Sequence, residues 1–235
     1  MHRDLDIEFK ELVKSIISPR LKLLGYKKSN LNFNRSVDKL IHCIKIQKSQ
    51  WNHSELISFT VNYGFFNDYI YRINCNKQDL PKFINDNDCF AWGRTGHLIY
   101  GNDYWYELSF EKEFNLIAEQ ISSDFDDKLI PLMEQFKSIV SVTDLMRLSA
   151  EKRPNGLIID IDNVAIYELE FGDFDKGKKI LLDSYEKALI PKSVSSTTVY
   201  PDGRKDVKWS EPSVNQFYLD KLKRLANMYK IEIKK

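Results

Sequence analysis

Residues 40–66, LIHCIKIQKSQWNHSELISFTVNYGFF, decide the fold of this chain. In the second half of the stretch, apolar residues occupy every second position from Ile57 to Tyr63, and this period of two places them on one face of a β-strand. The first half, residues 40–46, is apolar at both parities, which is typical of a strand covered on both faces. The segment 49–55, polar around Trp51, is long enough for an open hairpin loop. The pattern therefore predicts two paired strands, with the first one central in its sheet.

The elements predicted on either side of these strands follow an order that is typical of an α+β domain. An opening helix over residues 5–25 has apolar residues at helical spacing, and Pro19 should make it kink or restart near Ser18. Residues 67–87 are mixed and polar, and within them residues 80–84 predict at most one helical turn. The remaining elements are strands over 31–35, 89–92 and 104–108, a Gly-rich loop over 93–101, and helices over 111–124 and 129–139. We therefore expect an N-terminal helix, an antiparallel sheet of four or more strands, and later helices.

From residue 140 onward the predicted elements are helical. We expect helices from Thr143 to Pro154, from Asp160 or Asp162 to Gly172, from Asp173 to about Leu189, and from Ser210 or Pro212 to Tyr229. The organisation predicted is an α+β domain over residues 1–139 and an all-helical C-terminal region over residues 140–235. The two regions should pack together, because residues 139–150 contain no Gly, Pro or long polar linker.

Two segments of the C-terminal region carry more specific patterns. Residues 172–189, GDFDKGKKILLDSYEKAL, resemble the turn and second helix of a tetratricopeptide-type hairpin, with Gly177 where that repeat favours alanine. One degenerate copy does not make a repeat array, which needs at least three units to bury its faces. Residues 199–209, VYPDGRKDVKW, predict a small exposed hairpin that turns at Pro201, Asp202 and Gly203.

Composition and charge argue against several classes of protein. The 35 basic and 34 acidic residues give a net charge of +1, so no global field would draw the chain onto nucleic acid or an anionic membrane. Hydrophobic residues make up 43% of the chain, enough for a folded core. The first residues, MHRDLDIEFKEL, lack the apolar run of a secretory signal, and no later window approaches eighteen uninterrupted apolar residues. We therefore expect a cytoplasmic protein with no membrane span.

Familiar catalytic and metal-binding motifs are absent from the sequence. It contains no HExxH, GxSxG or Walker motif, and Cys43, Cys75 and Cys89 form no CxxC pair. Asp160 and Asp162 could bind a divalent ion, but helix capping explains them more simply. We therefore expect no metal, no cofactor and no catalytic residue, and the sequence favours a protein that is not an enzyme.

The Gly-rich loop and the strands beside it contain the best candidate binding site. Its members are an arginine, a histidine and three aromatic residues: Trp92, Arg94, His97, Tyr104 and Trp105. The arginine would supply a fork of hydrogen-bond donors and the aromatics a flat apolar floor for an anion or a peptide. The alternative is a structural hairpin, in which the aromatics pack on the sheet and Arg94 pairs with a carboxylate such as Glu107.

A second cluster, Lys45, Gln47 and Lys48 near Trp51, could form a nucleic-acid face, because such faces combine cations with stacking rings. A solvated strand edge explains it better, because edge strands use lysine to discourage pairing. Nucleic acid is therefore not the partner that we expect.

Six phrases between residues 25 and 136 carry a family resemblance: GYKKSNLNFNR, IKIQKSQWN, FTVNYGF, WGRTGHL, DYWYEL and LIPLMEQF. Together they resemble a bacterial family catalogued only as domain of unknown function 4304, with agreement over about residues 5–136. The family prefers Arg-Leu-Gly where this chain has Arg94, Thr95 and Gly96. The resemblance implies an α+β domain and supplies no catalytic residues. By analogy of size and context, it also implies a partner in toxin-neutralising loci.

These observations lead to the hypothesis of a cytoplasmic, non-enzymatic protein-interaction module, of which a toxin-neutralising, immunity-type protein is one form. Its partner would then be another protein. The alternative hypothesis is a small-ligand-binding protein or an enzyme with a cleft between the sheet and the C-terminal helices.

Overall fold

Seven antiparallel strands form the sheet of the computed structural model, which describes residues 3–138, 141, 157–200 and 204–233. They are β1 Lys27–Ser29, β2 Asn32–Val37, β3 Leu40–Lys48, β4 Leu56–Phe66, β5 Ala91–Arg94, β6 Tyr106–Ser109 and β7 Leu157–Ile159. The strand order is β1-β2-β3-β4-β5-β7, and β6 pairs with the first half of β4 while β5 pairs with the second half. The two predicted strands of residues 40–66 are confirmed, and β3 is central because it pairs with both β2 and β4.

Helices precede, connect and follow the strands of this sheet. They are α1 Leu5–Glu11, α2 Ser18–Leu23, α3 Asp68–Cys75, α4 Thr95–Tyr100, α5 Phe114–Asp124 and α6 Ile130–Gln135, with π-helical turns at Leu12–Ile17 and Phe125–Leu129 and a 3-10 turn at Asp86–Asp88. The predicted interruption at Pro19 is confirmed: the widened π-helical turn ends directly before α2, whose first turn contains the proline. The Ser18 hydroxyl donates to the Val13 carbonyl oxygen at 2.6 Å.

The main core lies on the sheet face formed by every second residue of β3 and β4. Phe59 of β4 is fully buried, with its ring 5.2 Å from that of Phe9 in α1 and 5.5 Å from that of Tyr106 in β6. Such aromatic pairs stabilise a core beyond the apolar area that they bury. The side chains of the other parity form the second face of the sheet, which carries a smaller apolar group and the polar residues discussed below.

The structure contains two helices in the first 110 residues that the sequence pattern does not predict. Residues 67–87 contain a two-turn helix, α3, which the Asn67 side chain caps by accepting from the Ile70 main-chain N–H at 3.0 Å. The loop expected over residues 93–101 contains the short helix α4. Burial of a few side chains on one face, such as Ile70 and Ile73 of α3, stabilises a helix that local propensity does not reveal.

The chain divides into two compact units, Met1–Asp160 and Ile161–Lys235. The second unit contains α7 Ile161–Phe171, α8 Phe174–Ala188, β8 Ser195–Val199, β9 Lys205–Trp209 and α9 Gln216–Met228. Helices follow the sheet as predicted, but the C-terminal region is not helical throughout: β7 pairs with β5, and the predicted exposed hairpin is present as β8 and β9. The helix expected from Thr143 to Pro154 and the turn at residues 201–203 lie outside the described residues.

Capping residues in the second unit agree only partly with expectation. Asp173 caps α8 as predicted, since its carboxylate accepts from the Lys176 main-chain N–H at 3.1 Å. The last helix is capped by Asn215 and not by Ser210 or Pro212. Asp162, expected as a cap, is buried instead against Lys221, with an oxygen 2.6 Å from its Nζ, and accepts from the Tyr218 hydroxyl at 2.7 Å.

Candidate functional site

Arg94, Asp103 and Trp105 form one cluster at the end of β5. The Arg94 Nη1 donates to Oδ1 of Asp103 at 2.6 Å, and the Trp105 Nε1 donates to the other carboxylate oxygen at 3.3 Å. The guanidinium carbon of Arg94 lies 5.3 Å from the centroid of the Trp105 ring, within the range of a cation–π contact. A single carboxylate therefore holds a cation and an indole ring side by side; we call this arrangement the Arg94–Asp103–Trp105 cluster.

Two glycines shape the turn that brings Asp103 to Arg94. Gly101 ends α4 with a φ of +72°, a left-handed conformation that glycine adopts without a Cβ clash. At Gly96, a Cβ atom would lie 2.5 Å from the main-chain nitrogen of Tyr104 and 2.8 Å from the main-chain oxygen of Asn102. The segment after α4 can therefore cross this helix closely only because residue 96 has no side chain.

The electrostatics of the cluster favour an ionised Asp103. Partial burial raises the pKa of this carboxyl group, but the hydrogen bonds from Arg94 and Trp105 and the positive charge of Arg94 outweigh it, so the pKa lies below its ordinary value. The Arg94 side chain is 23% exposed, and its Nε is buried without a hydrogen-bond partner among the described residues. This nitrogen is enclosed by the protein, so only the Nη groups of the partly exposed guanidinium can reach a partner.

Arg94 is also the last member of a row of polar residues across four strands. Asn32 of β2 lies opposite Lys45 of β3, Lys45 lies opposite Asn62 of β4, and Asn62 lies opposite Arg94 of β5. Directly opposed residues share one face of a sheet, so this polar row crosses the face opposite the main core. The row cannot be seen in the sequence, because its members are up to 62 residues apart in the chain and only strand register aligns them.

A buried carboxylate organises the centre of the polar row. Asp86, whose side chain is 6% exposed, accepts from the Lys45 ammonium at 2.8 Å and from the Asn62 amide. The same Asn62 amide donates to Gln47 at 2.9 Å, while its oxygen is buried and has no partner among the described residues. Lys45 and Gln47 therefore belong to an internal network, and the strand-edge interpretation of these residues is wrong.

Of the other predicted site residues, Trp92 and Tyr104 make contacts outside the cluster, and His97 lies beside it. The Trp92 side chain packs on an apolar group formed by Cys43, Phe66, Tyr71, Ile84 and Cys89. Tyr104 turns toward the helices, with its ring 4.3 Å from that of Tyr100 and its hydroxyl oxygen accepting from Gln120 at 2.9 Å. His97 is exposed on α4, where its charge helps to lower the pKa of Asp103. The structure thus combines Arg94 with Trp105, whereas Trp92 and Tyr104 serve other contacts and His97 acts through its charge on Asp103.

Glu107, the expected carboxylate partner of Arg94, pairs with Lys112 at 3.0 Å. Asp103 takes its place because the turn after Gly101 carries it back over Arg94. The DYWYEL phrase contains both residues, and an acid two positions before a tryptophan beside a glycine turn is a signal that could have identified Asp103.

Metal-ligand clusters and membrane-spanning helices are both absent from the described part of the chain. Among those residues, no three His, Cys, Asp or Glu side chains gather in a way that could hold a metal ion. Across the same residues, no helix is both long enough and apolar enough to pass through a membrane.

Cys43 and Cys89 are free and buried, and burial raises the pKa of the Cys89 thiol well above its ordinary value.

Comparison with known proteins identifies one similarity. The family model described as "Domain of unknown function (DUF4304)" matches residues 17–135, which include the sheet up to β6, the Arg94–Asp103–Trp105 cluster and the polar row. No curated protein and no solved structure matches the chain significantly.

Proposed function

Because the chain belongs to the family described as Domain of unknown function (DUF4304), a description that assigns no activity, we propose from the geometry of the site that the protein is a protein-interaction module. The observation that carries this proposal is the Arg94–Asp103–Trp105 cluster. Arginine and tryptophan are among the residues that contribute most to binding energy at protein interfaces. Here the two are in contact at a partly exposed position.

The cluster is ordered before any partner binds. Asp103 accepts hydrogen bonds from both Arg94 and Trp105, so neither side chain has to be immobilised on association. Ordering a long flexible side chain at an interface costs about 0.5–1.5 kcal/mol. A preformed pair avoids much of this cost, which supports a role as a binding anchor.

The charge of the cluster indicates what a partner must offer. The Arg94 guanidinium is already neutralised by Asp103, so a partner rich in negative charge has no excess positive charge to bind here. The partly exposed indole ring and the partly exposed guanidinium suit a polar main-chain segment or an amide side chain. We therefore propose a partner protein that places carbonyl groups on the cluster and apolar atoms on the Trp105 ring.

The experiment that tests this proposal couples partner capture to affinity measurement. A photo-crosslinking residue at the exposed position of His97, beside the cluster, is used to capture partners in the cells that make the protein natively, and the captured protein is purified. Its affinity is then measured for the wild type, Arg94→Ala and Trp105→Ala. We expect each substitution to weaken binding about 30-fold or more, which corresponds to about 2 kcal/mol.

Two substitutions away from the cluster provide matched controls. Trp51→Ala removes a tryptophan that is 79% exposed in the loop between β3 and β4, and Lys112→Ala removes a half-exposed cation near β6. Both variants should bind like the wild type. Equal affinities for the cluster variants and these controls would refute the cluster as the binding site. The toxin-neutralising role inferred from the family resemblance stays a prediction.

A further inference from the structure

A second candidate site lies entirely within the unit Ile161–Lys235. It is a cleft of about 710 Å³ between the C-terminal end of α8, the segment that leads to β8, and the first turn of α9. Small-molecule sites in proteins typically occupy about 300–1,000 Å³. The cleft shares no residue with the Arg94–Asp103–Trp105 cluster, so it raises a separate question of function.

Hydrogen bonds define the walls of this cleft. The main-chain groups of Lys192 and Ser213 exchange hydrogen bonds of 3.0 and 3.2 Å, which ties the entry of the hairpin to its exit. Tyr218 is fixed by its hydroxyl, which donates to Asp162 at 2.7 Å, and Asn215 caps α9 beside it. The cleft is therefore a built feature of the fold and not a gap between loose chain ends.

The lining is mainly apolar. Ile161, Ile190 and Val194 are 48%, 60% and 69% exposed, and together with Ala188 they provide a hydrocarbon surface inside the cleft. Large apolar residues that remain this exposed and lie together commonly mark a binding site. A ligand with an alkyl or aryl part would bury this surface.

The charged residues of the lining are both lysines. Lys187 and Lys192 line the cleft, and no carboxylate pairs with either of them in the part of the chain that the structure describes. Two buried carboxylates of the same unit already have lysine partners elsewhere: Lys176 lies 2.9 Å from Glu168, and Lys221 lies 2.6 Å from Asp162. The two unpaired ammonium groups, together with the hydroxyl group of Ser213, therefore give the cleft the chemistry to bind a carboxylate.

We infer that this cleft binds a small amphiphilic carboxylate, with its apolar chain against Ile161, Ile190 and Val194 and its carboxylate between Lys187 and Lys192. The two lysines complement the charge of the head group, and the apolar lining complements the chain. The occupant in this inference is a single small molecule, because a cleft of about 710 Å³ accommodates one chain of this size.

A fluorescence titration of the full chain tests this inference. The probe is 11-(dansylamino)undecanoate, and the competitors are dodecanoate and dodecanol, all below their aggregation concentrations. We expect saturable binding of the probe, and dodecanoate should displace it at least tenfold more effectively than dodecanol, since only the acid carries the negative charge that the lysines complement. Equal displacement by the alcohol would overturn the inference.

Lysine variants localise the site. Lys187→Gln and Lys192→Gln should each weaken dodecanoate binding about tenfold, whereas Lys178→Gln, an exposed substitution on α8 outside the cleft, should leave it unchanged. All three positions are exposed at the surface, so these substitutions test the charge without disturbing the core. Wild-type affinity in both cleft variants would refute the assignment.

Two further measurements distinguish a free carboxylate from a membrane surface and this cleft from the Arg94–Asp103–Trp105 cluster. The protein should not co-sediment with vesicles that contain phosphatidylglycerol. If it co-sedimented with them and did not bind free dodecanoate, the ligand would be a membrane surface and the proposal would be overturned. Arg94→Ala should bind the probe with wild-type affinity, because Arg94 does not line the cleft. Probe binding therefore tests the cleft independently of the protein interaction proposed for the cluster.

Discussion

The Nε2 atom of His42 lies 2.6 Å from the main-chain oxygen of Phe136, 94 residues further along the chain. On the other side of the ring, Nδ1 lies 3.3 Å from the Nη2 of Arg35. Because a guanidinium can only donate, Nδ1 is the acceptor and Nε2 carries the proton. The fully buried imidazole is therefore held in its neutral form, with one hydrogen bond on each nitrogen.

This geometry makes the stability of the first unit depend on pH. Burial is the main reason why the pKa of His42 falls to about 4, whereas the unfolded chain has the ordinary value near 6.5. Between these values the unfolded state binds a proton that the folded state does not, so stability falls as the pH decreases through this window. The full effect is about 3 kcal/mol. Urea unfolding at pH 7 and pH 4.5 should show it.

Variants separate this effect from the titration of carboxyl groups. His42→Gln should lose part of the acid sensitivity, while His53→Gln, at an exposed position, should keep it. Indistinguishable pH dependences of wild type and His42→Gln would show that His42 is not the group responsible.

Asp86 is predicted to be essential for the stability of the polar row. Asp86→Ala would leave Lys45 and Asn62 without the carboxylate that they share on a largely buried face. Removing one partner of a buried ion pair typically costs about 3–5 kcal/mol, and the partial exposure of Lys45 places the expected loss near the lower end. Chemical denaturation provides the measurement. Asp126→Ala, which removes a half-exposed bridge to Arg20, should cost at most about 1 kcal/mol.

Gly177→Ala should destabilise the second unit, although alanine is the better helix former by about 1 kcal/mol. A Cβ at residue 177 would lie 2.8 Å from the main-chain nitrogen of Leu169 and 3.0 Å from the main-chain oxygen of Ala165. The helices α7 and α8 would have to separate, at an expected cost of about 1–3 kcal/mol. Thermal unfolding compares the variant with Lys178→Ala, an exposed neighbour that should be nearly neutral; a Gly177→Ala variant more stable than wild type would contradict the close packing.

Tyr106 and Tyr100 are predicted to act together on one carboxylate. Both hydroxyl groups donate to the same oxygen of Asp124 at 2.6 Å, and the carboxylate is largely buried. Tyr106→Phe should cost about 1–2 kcal/mol, and Tyr100→Phe less, because Tyr100 is partly exposed. The double variant should lose more free energy of unfolding than the two single variants together, since it removes both hydrogen-bond donors from Asp124. Additive losses in a double-mutant cycle would contradict a shared role.

Local sequence patterns determined a large part of the fold. The alternation in residues 57–63 predicts β4, and the apolar residues at both parities of residues 40–46 predict the central position of β3, because consecutive residues of a strand lie on opposite faces. The exposed pair of strands β8 and β9 and the cap at Asp173 are likewise predicted from local sequence. Such features depend on neighbours in sequence and can be predicted without the tertiary structure.

Contacts between side chains that are distant in sequence follow only from the tertiary structure. The candidate residues Arg94 and Trp105 could be selected as residue types from the sequence, but their shared partner is Asp103 and not Glu107, because the turn at Gly96 and Gly101 sets the path of the chain. The alignment of Asn32, Lys45, Asn62 and Arg94 follows from strand register, which no local pattern contains. A side chain's partner depends on distances in space between segments that are far apart in sequence, and those distances exist only once the chain has folded.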